Sequence, residues 1–409
     1  MKLHLTGPSN TKLNDTITIT GSKSESNRSL LLSALFSDIT IENISNSDDA
    51  QVMAKGLKIS EGTVDIHHAG TAMRFLTGYF ASQEGKEVVL TGSKRMTERP
   101  IEILVDALKT LGAEISYVQD EGYPPIKIKG QHIVKDKVSL PANVSSQYIS
   151  SLLLIAPSLE KGLQLELIGK ITSVPYIKMT LALLEEIGVE TSFEGNLIKV
   201  SPKAKVAPTT LVVESDWSSA SYFYGICALA APGTQITLSA YKKESLQGDS
   251  VLASIYTSFG VETTFGNNTV TLKKTDKKIE AKNEFDLANA PDIAQTIAVT
   301  CFGLGVGCYL TGLHTLKIKE TDRLEALHTE LSKLGANISV TDKTLTIIPS
   351  VGILEDIAID TYNDHRMAMA FAPLAMKTTL IVNDAEVVSK SYPDFWNDLK
   401  QLDFGIKEL

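Results

Sequence analysis

The segment GSKSESNR at residues 21–28 concentrates two cations and several hydroxyl groups just ahead of an apolar run. Serine hydroxyls and backbone N–H groups can fix an oxyanion while Lys23 and Arg28 neutralise it, so the segment is a candidate phosphate cradle. It lacks the G-x-x-x-x-G-K spacing of a Walker loop. A helix-capping sequence with a solvated lysine is the competing interpretation, and the segment alone does not choose between the two.

Two further segments in the first half could approach an anion. Gly70, in the sequence AGT, offers a backbone N–H at the start of an apolar run, and RMTERP at residues 95–100 adds the guanidinium groups of Arg95 and Arg99. Gly70 could equally be a simple helix N-cap. For Arg99 a structural role is favoured over a catalytic one.

Hydroxyl-bearing residues open two more helical patterns in this half. Ser145, Ser146 and Gln147 start an apolar run, and Ser173 and Tyr176 in SVPYIK could hydrogen-bond a sugar-like ring. Serine caps are common and a turn before a helix explains the proline, so neither segment is specific alone.

The second half adds carboxylates to the cations. Asp292 lies on the first turn of an apolar helix, where it would be either a dipole-stabilising cap or a base. The run KIKETDR at residues 317–323 packs five charges into seven positions, including Lys319, Glu320 and Arg323. Such a run is usually a solvated face, but this one falls at a helix entrance, and a functional role is favoured.

The remaining candidates follow closer to the end of the chain, in the sequence DHR at residues 364–366 and at Lys390. His365 is as consistent with a structural partner of Asp364 as with a proton donor. We expect Lys23 and Arg323 to line a cleft and not a core.

An internal repeat indicates which elements position these residues. One amphipathic helical pattern ends in the same way at Gly112, Gly188, Gly260 and Gly335, at intervals of 76, 72 and 75 residues, and more weakly at Gly405. Apolar residues at i, i+3, i+4 and i+7, then a glycine and an alternating run, predict a helix, a left-handed C-cap and a strand.

A second helical pattern alternates with the first and is apolar almost throughout. It begins near Ser26, Gly70, Ser145, Ser218, Pro291 and Asp364, which implies six units. A helix that is apolar on every face must be buried, so the pattern predicts an α/β protein with two cores of three helices. The N-termini of such helices present free N–H groups and a positive dipole end, which favour anions.

The repeats also suggest the domain organisation. We expect the chain to cross from one domain to the other in the Lys/Pro-containing stretch 202–214. This predicts one domain over residues 21–213 and another over 1–20 plus 214–409, with the active site in the cleft between them. The first strand would return to the C-terminal half. The first unit is short, because residues 48–66 leave little room for a full amphipathic helix.

Composition excludes several function classes. A formal net charge of −9 argues against a nucleic-acid binder, since that needs a clustered excess of basic residues. Cys227, Cys301 and Cys308 have no metal-binding or disulfide spacing, which favours a reduced cytoplasmic protein. The start has no signal-peptide pattern, and the most apolar segment is too short to cross a bilayer.

The segments GSKSESNR, AGTAMR, RMTERP, SSQY, SVPYIK, IKETDRLEAL, TYNDHRMAMAF and SKSYPDFW resemble, in order and over essentially the whole chain, the signatures of 5-enolpyruvylshikimate-3-phosphate synthases. The resemblance implies a fold of two pseudo-threefold domains, each of three βαβαββ repeats around buried parallel helices, the inside-out barrel of enolpyruvyl transferases. It implies transfer of the enolpyruvyl group of phosphoenolpyruvate to the 5-hydroxyl of shikimate-3-phosphate by a monomer, without metal or organic cofactor.

The resemblance also implies roles for individual residues. Those that would hold shikimate-3-phosphate are Lys23, Ser24, Arg28, Ser145, Ser146, Gln147, Ser173, Tyr176, Asp292 and Lys319. Those that would hold phosphoenolpyruvate are Lys23, Gly70, Arg95, Gln147, Arg323, Arg366 and Lys390. Asp292 would exchange the hydroxyl proton, and Glu320, with Lys23, the methylene proton.

Two residues depart from the family pattern: His68 stands where asparagine is common, and Phe75 where proline is frequent. The closest alternative is the related enolpyruvyl transferase that acts on UDP-N-acetylglucosamine, which usually has a cysteine in the loop equivalent to residues 93–96. This chain has no cysteine before Cys227. A catalytically silent metabolite-binding homologue is disfavoured, because a mere binder needs neither Asp292 nor Glu320 among incoming anions.

Overall fold

The computed structural model of the chain describes residues 1–142, 145–169, 171 and 174–409, in which short strands alternate with helices. The strands are β1 (Leu3–Thr6), β2 (Asn14–Ile17), β3 (Ile39–Glu42), β4 (Glu61–Asp65), β5 (Glu87–Thr91), β6 (Glu114–Tyr117), β7 (Ile126–Lys129), β8 (Lys137–Pro141), β9 (Leu163–Ile168), β10 (Thr191–Glu194), β11 (Leu197–Val200), β12 (Thr209–Val212), β13 (Gln235–Ser239), β14 (Val261–Gly266), β15 (Thr269–Lys274), β16 (Lys282–Asp286), β17 (Gly307–Thr311), β18 (Asn337–Val340), β19 (Leu345–Ile348), β20 (Ile357–Ile359), β21 (Leu380–Val382) and β22 (Gly405–Glu408). The α-helices are α1 (Lys23–Leu35), α2 (Asp48–Gly56), α3 (Gly70–Ala81), α4 (Lys94–Thr97), α5 (Glu102–Leu111), α6 (Ser146–Ile155), α7 (Val174–Glu186), α8 (Trp217–Leu229), α9 (Leu252–Ile255), α10 (Ala294–Gly303), α11 (Arg323–Lys333), α12 (His365–Phe371) and α13 (Phe395–Gln401).

The chain divides into two compact units, Gly21–Val213 and Met1–Thr20 with Glu214–Leu409. In the first, hereafter the N-terminal unit, two four-stranded sheets have the same topology, with strand orders β4-β5-β7-β6 and β8-β9-β11-β10. In each, the first two strands are parallel and joined by a helix, and the last two form an antiparallel hairpin. Each sheet with its two helices is therefore one βαβαββ unit.

The remaining part of the N-terminal unit is shorter. Strands β12 and β3 pair in parallel, and α2 leads directly into β4 of the next sheet. The expectation that this unit lacks room for a full helix needs correction, since α2 has 9 residues against 10 in α5. Residues 57–60, which connect α2 to β4, form no strand, so this part lacks the antiparallel hairpin that closes the other two units.

The second unit, hereafter the C-terminal unit, has three four-stranded sheets with strand orders β14-β15-β13-β2, β16-β17-β19-β18 and β20-β21-β1-β22. The first twenty residues supply two strands where the sequence suggested one. Strand β2 pairs in parallel with β13, and β1 lies antiparallel between β21 and β22. The chain start thereby completes the fourth and sixth repeats.

The apolar helices are buried, as their sequences predict. Every residue of α3 is buried, and α8 is buried except at Ser218. Helices α1, α3 and α6 pack against one another in the N-terminal unit, and α8, α10 and α12 in the C-terminal unit. Each trio forms the centre of its own hydrophobic core, which confirms two cores of three helices.

The repeated glycines have the predicted backbone conformation. Gly112, Gly188, Gly260 and Gly335 have φ values of 115°, 78°, 74° and 96° at the ends of their helical segments. The weaker copy is different: Asp403, with φ of 65°, takes the left-handed position, and Gly405 already belongs to β22. The helix before Gly260 is also broken into α9 and flanking 3₁₀ turns, because its serines, threonines and β-branched residues are poor helix formers.

None of the helices in the described part of the chain combines the length and apolar character needed to span a membrane.

Candidate active site

The entrance of α1 shows how the sequence places its first cation. Ser22 is the N-cap, and its hydroxyl accepts a hydrogen bond from the Glu25 N–H, so Lys23 and Ser24 lie in the first turn. The Lys23 Nζ lies 3.4 Å from Oδ2 of Asp49 on α2. Both the capping and the cationic features expected of this segment are therefore present together.

Arg28 is buried between three helices of the N-terminal unit. Its Nε donates to Thr180 Oγ1 at 2.8 Å, and its Nη2 donates to Ser150 Oγ at 2.9 Å. The same guanidinium donates to the backbone carbonyls of Ser24 at 2.7 Å and Tyr176 at 3.4 Å. Arg28 thus gathers Ser24 and Tyr176, two of the predicted ligand-binding residues, around one cation.

The partners of Arg28 are neutral. Its guanidinium carbon also lies 5.3 Å from the centre of the Phe75 ring, a cation–π distance. Among the described residues, no carboxylate lies within ion-pair distance of it. Burial lowers the pKa of Arg28 to about 10, with Tyr176 and the nearby Glu25 carboxylate acting in the opposite direction, so the group stays charged at neutral pH.

Gly70, at the start of α3, is covered by Arg99, for which the sequence favoured a structural role. A side chain at Gly70 would meet the Arg99 Nη1 at 2.8 Å. Arg99 is half-buried and helps to lower the pKa of the neighbouring Arg74 to about 10, after the larger effect of burial. The N-terminus of α3 therefore lies beside two guanidinium groups.

Arg95, which the resemblance selected, lies elsewhere on the same segment. Its Nη1 pairs with Glu98 Oε2 at 3.1 Å, and its side chain is 59% exposed. The structure brings Arg99, and not Arg95, against Gly70. Both arginines occur in the same six-residue motif, so spacing from α3 alone could not have distinguished them.

The first turn of α6 contacts the first turn of α3 through a side-chain hydrogen bond. Ser145 is the N-cap and its hydroxyl accepts from the Gln147 N–H, with Ser146 as the first helical residue. The Gln147 side chain donates to Thr71 Oγ1 at 3.0 Å, next to Gly70. Gln147 and Gly70 are therefore neighbours, whereas Ser173 lies outside the described residues.

The C-terminal unit is organised around Arg323. Asp322 caps α11 by accepting from the N–H groups of Leu324 and Glu325, which makes Arg323 the first helical residue. Its guanidinium donates to Asp364 Oδ2 at 2.6 Å, to Asp292 Oδ1 at 2.8 Å and to Glu320 Oε2 at 2.8 Å. One arginine thus joins both candidate proton-transfer groups.

The Arg323 side chain is deeply buried among carboxylates. Its side chain is only 2% exposed, and each of its three neighbours is a carboxylate. These carboxylates raise its pKa above the usual value although burial acts in the opposite direction. Within this charge run Lys317 stays exposed, whereas Arg323 is buried in an ion-pair network, because its partners Asp292 and Asp364 come from distant segments.

Asp292 occupies the centre of this network. It lies in the 3₁₀ turn Pro291–Ile293 that leads into α10, and Lys319 Nζ and Arg366 Nη2 each lie 3.4 Å from its carboxylate. Burial alone would favour its protonation, but Lys319, Arg366 and Arg323 hold the pKa of Asp292 well below its usual range. Asp292 is therefore ionised at neutral pH, as expected of a group that accepts a proton from a bound substrate.

Arg366 leads to a buried acid that the sequence did not indicate. Its Nη2 donates to Ser218 Oγ at 3.1 Å, and the Ser218 hydroxyl in turn donates to Asp249. Burial, followed by repulsion from Asp292, raises the pKa of Asp249 to about 6. Asp249 belongs to the 3₁₀ turn Gly248–Val251, where no motif marked it.

The last candidates, Lys390 and the sequence DHR at residues 364–366, lie at the turn that precedes α12. The Lys390 Nζ donates to the backbone carbonyl of Asn363 at 2.6 Å, and Asp364 caps α12 by accepting from the Arg366 N–H. His365 is buried, with its Nδ1 3.9 Å from Asp364 Oδ1. The structure therefore brings Lys390 to the turn that carries Asp364 and Arg366.

In the part of the chain that the structure describes, no group of three or more histidine, cysteine, aspartate or glutamate side chains is arranged to hold a metal ion.

Two known structures share this double α/β architecture. EPSP synthase from Acinetobacter baumannii superposes with a TM-score of 0.81 at 21% identity over 100% of both chains. The enolpyruvyl transferase NikO from Streptomyces tendae superposes with a TM-score of 0.76 at 14% identity, covering 99% of this chain and 98% of that chain. The fold is that of the enolpyruvyl transferases.

Sequence comparison defines the family within that fold. The family model of EPSP synthase (3-phosphoshikimate 1-carboxyvinyltransferase) matches residues 8–60 and 58–399. The 3-phosphoshikimate 1-carboxyvinyltransferase of Bacteroides fragilis strain YCH46 is 47% identical over 415 residues, covering 100% of this chain and 99% of the relative. That of Aliivibrio fischeri strain ES114 is 36% identical over 421 residues, covering 96% and 97%. The chain belongs to the EPSP synthase family and is a transferase.

Proposed function

We propose that the chain transfers the enolpyruvyl (1-carboxyvinyl) group of phosphoenolpyruvate to the 5-hydroxyl of shikimate-3-phosphate and releases phosphate. The names of the relatives point to this reaction. The observation that carries the proposal is that Asp292 and Glu320, the two candidate proton-transfer groups, both bind the buried guanidinium of Arg323. Such a reaction would lie on the shikimate pathway to aromatic amino acids.

Each of the two ligands has its own set of proposed binding residues, and Lys23 and Gln147 belong to both sets. We propose that Lys23, Ser24 and Arg28 bind shikimate-3-phosphate together with Ser145, Ser146, Gln147, Ser173, Tyr176, Asp292 and Lys319. Phosphoenolpyruvate would be held by Lys23, Gly70, Gln147, Arg323, Arg366 and Lys390, with Arg99 added to the Arg95 of the sequence prediction. Support for Arg99 comes from its position against Gly70, where a helix N-terminus and a guanidinium converge.

The chemistry requires three proton transfers at the reacting carbon and hydroxyl groups, which two proton-transfer groups can perform. Protonation of the methylene carbon of phosphoenolpyruvate, which we assign to Glu320 with Lys23, leaves cationic character on C2. The substrate hydroxyl oxygen then bonds to C2 and its proton passes to Asp292, giving a tetrahedral ketal. Glu320, left as a carboxylate by the first step, then takes back a methyl proton, which restores the double bond as the carbon–oxygen bond to phosphate breaks. The phosphate leaves with the electron pair of that bond, and the hydroxyl proton passes from Asp292 to it. The cations offset the charge of the departing phosphate, which is electrostatic preorganisation.

The proposed reaction is tested by measuring phosphate release from phosphoenolpyruvate with two acceptors, shikimate-3-phosphate and UDP-N-acetylglucosamine. We expect release with the first alone. Lys319→Ala should impair it, whereas Lys317→Ala is a matched control, because Lys317 is exposed and pairs with Asp342 on the surface. Release with UDP-N-acetylglucosamine, or with neither acceptor, would overturn the proposal.

We further propose that the protein acts as a cytoplasmic monomer on small molecules and does not bind nucleic acid. The three cysteines are buried and free, as suits a reducing compartment, and the net charge is −9. Light scattering that gives the mass of a dimer would contradict the monomeric state.

A further inference from the structure

The turn before α12 has an unusual backbone. Tyr362 and Asn363 are consecutive residues with φ of 54° and 55°, in the left-handed region. Asparagine tolerates this conformation, but a tyrosine there is uncommon and costs free energy. Such a turn persists only where the surroundings hold it, so its contacts identify what holds it.

The contact that holds Tyr362 is a buried carboxylate. The Tyr362 hydroxyl donates to Glu330 Oε1 at 2.6 Å, although the tyrosine side chain is 38% exposed. Glu330 lies on α11 and is fully buried. Its Oε2 accepts from the Asp360 N–H at 3.1 Å and from Lys333 Nζ at 2.8 Å. One carboxylate therefore binds the segment 360–362 at both ends.

Two candidate ligand-binding groups depend on the residues that follow. The Asn363 carbonyl accepts from Lys390 Nζ at 2.6 Å. Asp364 accepts from Arg323 at 2.6 Å and from the Arg366 N–H at 2.9 Å. The direction of the Asn363 carbonyl is set by the left-handed conformation of the turn, so releasing Tyr362 would also move the carbonyl to which Lys390 donates.

Helix α11 holds this segment at two points. Arg323 at its first residue binds Asp364, and Glu330, about two turns further along, binds Tyr362. A buried carboxylate is costly unless its oxygens are satisfied, and Lys333 satisfies only one of the two oxygens of Glu330. The Tyr362 hydroxyl supplies the hydrogen bond at the other.

We propose that Glu330 and Tyr362 are positioning residues of the transferase: by fixing the turn 360–364 they set the positions of Lys390 and Arg366 for phosphoenolpyruvate. The inference rests on the proposed role of Lys390 and Arg366 in binding this ligand. Neither Glu330 nor Tyr362 belongs to the set of substrate-contacting residues. Their effect is on the placement of the cations.

The direct test is Tyr362→Phe, which removes one hydroxyl and keeps the ring. Tyr309→Phe is the matched control, since Tyr309 lies in the same unit and is 41% exposed. We expect Tyr362→Phe to raise the KM for phosphoenolpyruvate about tenfold while the KM for shikimate-3-phosphate changes by less than about twofold. Tyr309→Phe should leave both constants unchanged.

A second measurement does not depend on turnover. Acetylation of Lys390 by acetic anhydride, followed by peptide mass spectrometry, reports how firmly the amine is held by the Asn363 carbonyl. We expect the acetylation rate to rise about threefold or more in Tyr362→Phe, as a hydrogen bond to a charged group is lost, and to be unchanged in Tyr309→Phe. Glu330→Gln should act in the same direction.

The outcomes separate this inference from the proposed function. A lower melting temperature with unchanged KM values and unchanged Lys390 acetylation would show a purely structural role and overturn the inference. Should the parent release no phosphate, the proposed function fails, and the acetylation rates alone decide whether Tyr362 positions Lys390. If Tyr362→Phe does not fold, Glu330→Gln decides by the same two measurements.

Discussion

Two buried arginines in each unit are stabilised in opposite ways. In the N-terminal unit Arg28 and Arg74 are buried among hydroxyls, carbonyls, a thioether and aromatic rings, and burial lowers the pKa of each to about 10. In the C-terminal unit Arg323 and Arg366 contact carboxylates, and their pKa values are raised against the effect of burial. The first arrangement leaves positive charge available, whereas the second compensates it.

This difference suggests a division of labour. An uncompensated buried cation gains most from an incoming anion, because the ligand replaces the missing counter-charge. A compensated network instead fixes the ionisation state of its carboxylates, as the low pKa of Asp292 shows. We therefore expect the N-terminal unit to contribute mainly binding of shikimate-3-phosphate, and the C-terminal unit to contribute proton transfer together with part of the phosphoenolpyruvate site.

The strongest way to break this comparison is Arg323→Met. It would leave Asp292, Glu320 and Asp364 without their shared cation, and removing one partner of a buried ion pair typically costs about 3–5 kcal/mol. We expect a loss of that size in the free energy of unfolding, measured by urea denaturation. Lys317→Ala, which breaks an exposed pair, is the control and should change stability by less than about 0.5 kcal/mol. A loss below about 1 kcal/mol for Arg323→Met would contradict the network.

The carboxylates of the network can be tested one at a time by their chemistry. Glu320→Gln keeps the shape of the side chain but cannot transfer a proton, so it should slow exchange of the phosphoenolpyruvate methylene hydrogens with solvent deuterium by about 10²–10³. Proton NMR in deuterium oxide measures the exchange. Glu325→Gln, which changes an exposed carboxylate in the first turn of α11, should exchange at the parental rate. Parental exchange in Glu320→Gln would transfer the role to Lys23.

The buried Asp249 sharpens the comparison through pH. Its folded-state pKa of about 6 lies above the usual value of 3.8, so its favourable contribution is fully present below that usual value and is lost as the pH rises through about 6. Asp249→Asn should remove this dependence. The free energy of unfolding of the variant, relative to that of the parent, should therefore rise by about 1–2 kcal/mol from pH 5 to pH 8. Urea unfolding of both proteins at the two pH values measures the difference. Parallel pH profiles would show that Asp249 titrates normally.

The smallest expected change is in the stability of Arg28→Met. Ser150 and Thr180 already hydrogen-bond each other at 3.0 Å, so they keep a partner when the guanidinium is removed. Because Arg28 forms no ion pair among the described residues and Glu25 loses only a longer-range attraction, we expect the free energy of unfolding to change by less than about 1 kcal/mol. Urea denaturation of Arg28→Met and Arg323→Met under the same conditions compares their free energies of unfolding. Equal losses in the two variants would remove the distinction between the units.

Local sequence patterns predicted much of this molecule. The glycines that end the amphipathic helices predicted the helix–strand junctions, and the helices without a polar face predicted the two cores. Hydroxyl-rich helix starts pointed to the candidate anion-binding segments around Lys23 and Gly70. Each of these features depends on residues within about two turns of one another, so a single segment carries the whole signal.

The remaining features of the candidate site depend on long-range packing, which local sequence patterns do not specify. Whether Arg95 or Arg99 covers Gly70 depends on how the residues after α4 return to α3, which their shared motif does not specify. The burial of Arg323 depends on Asp292 and Asp364, which are 31 and 41 residues away. Asp249 gave no signal at all, because it reaches Arg366 only through Ser218.

The most direct test of the division of labour is the dissociation constant of shikimate-3-phosphate, measured by isothermal titration calorimetry in Arg28→Met and Asp292→Asn. We predict that Arg28→Met weakens binding roughly tenfold or more, since a charge-assisted contact is lost. Asp292→Asn should stay within about threefold of the parent although its turnover collapses. The opposite result, with binding intact in Arg28→Met and lost in Asp292→Asn, would contradict the account.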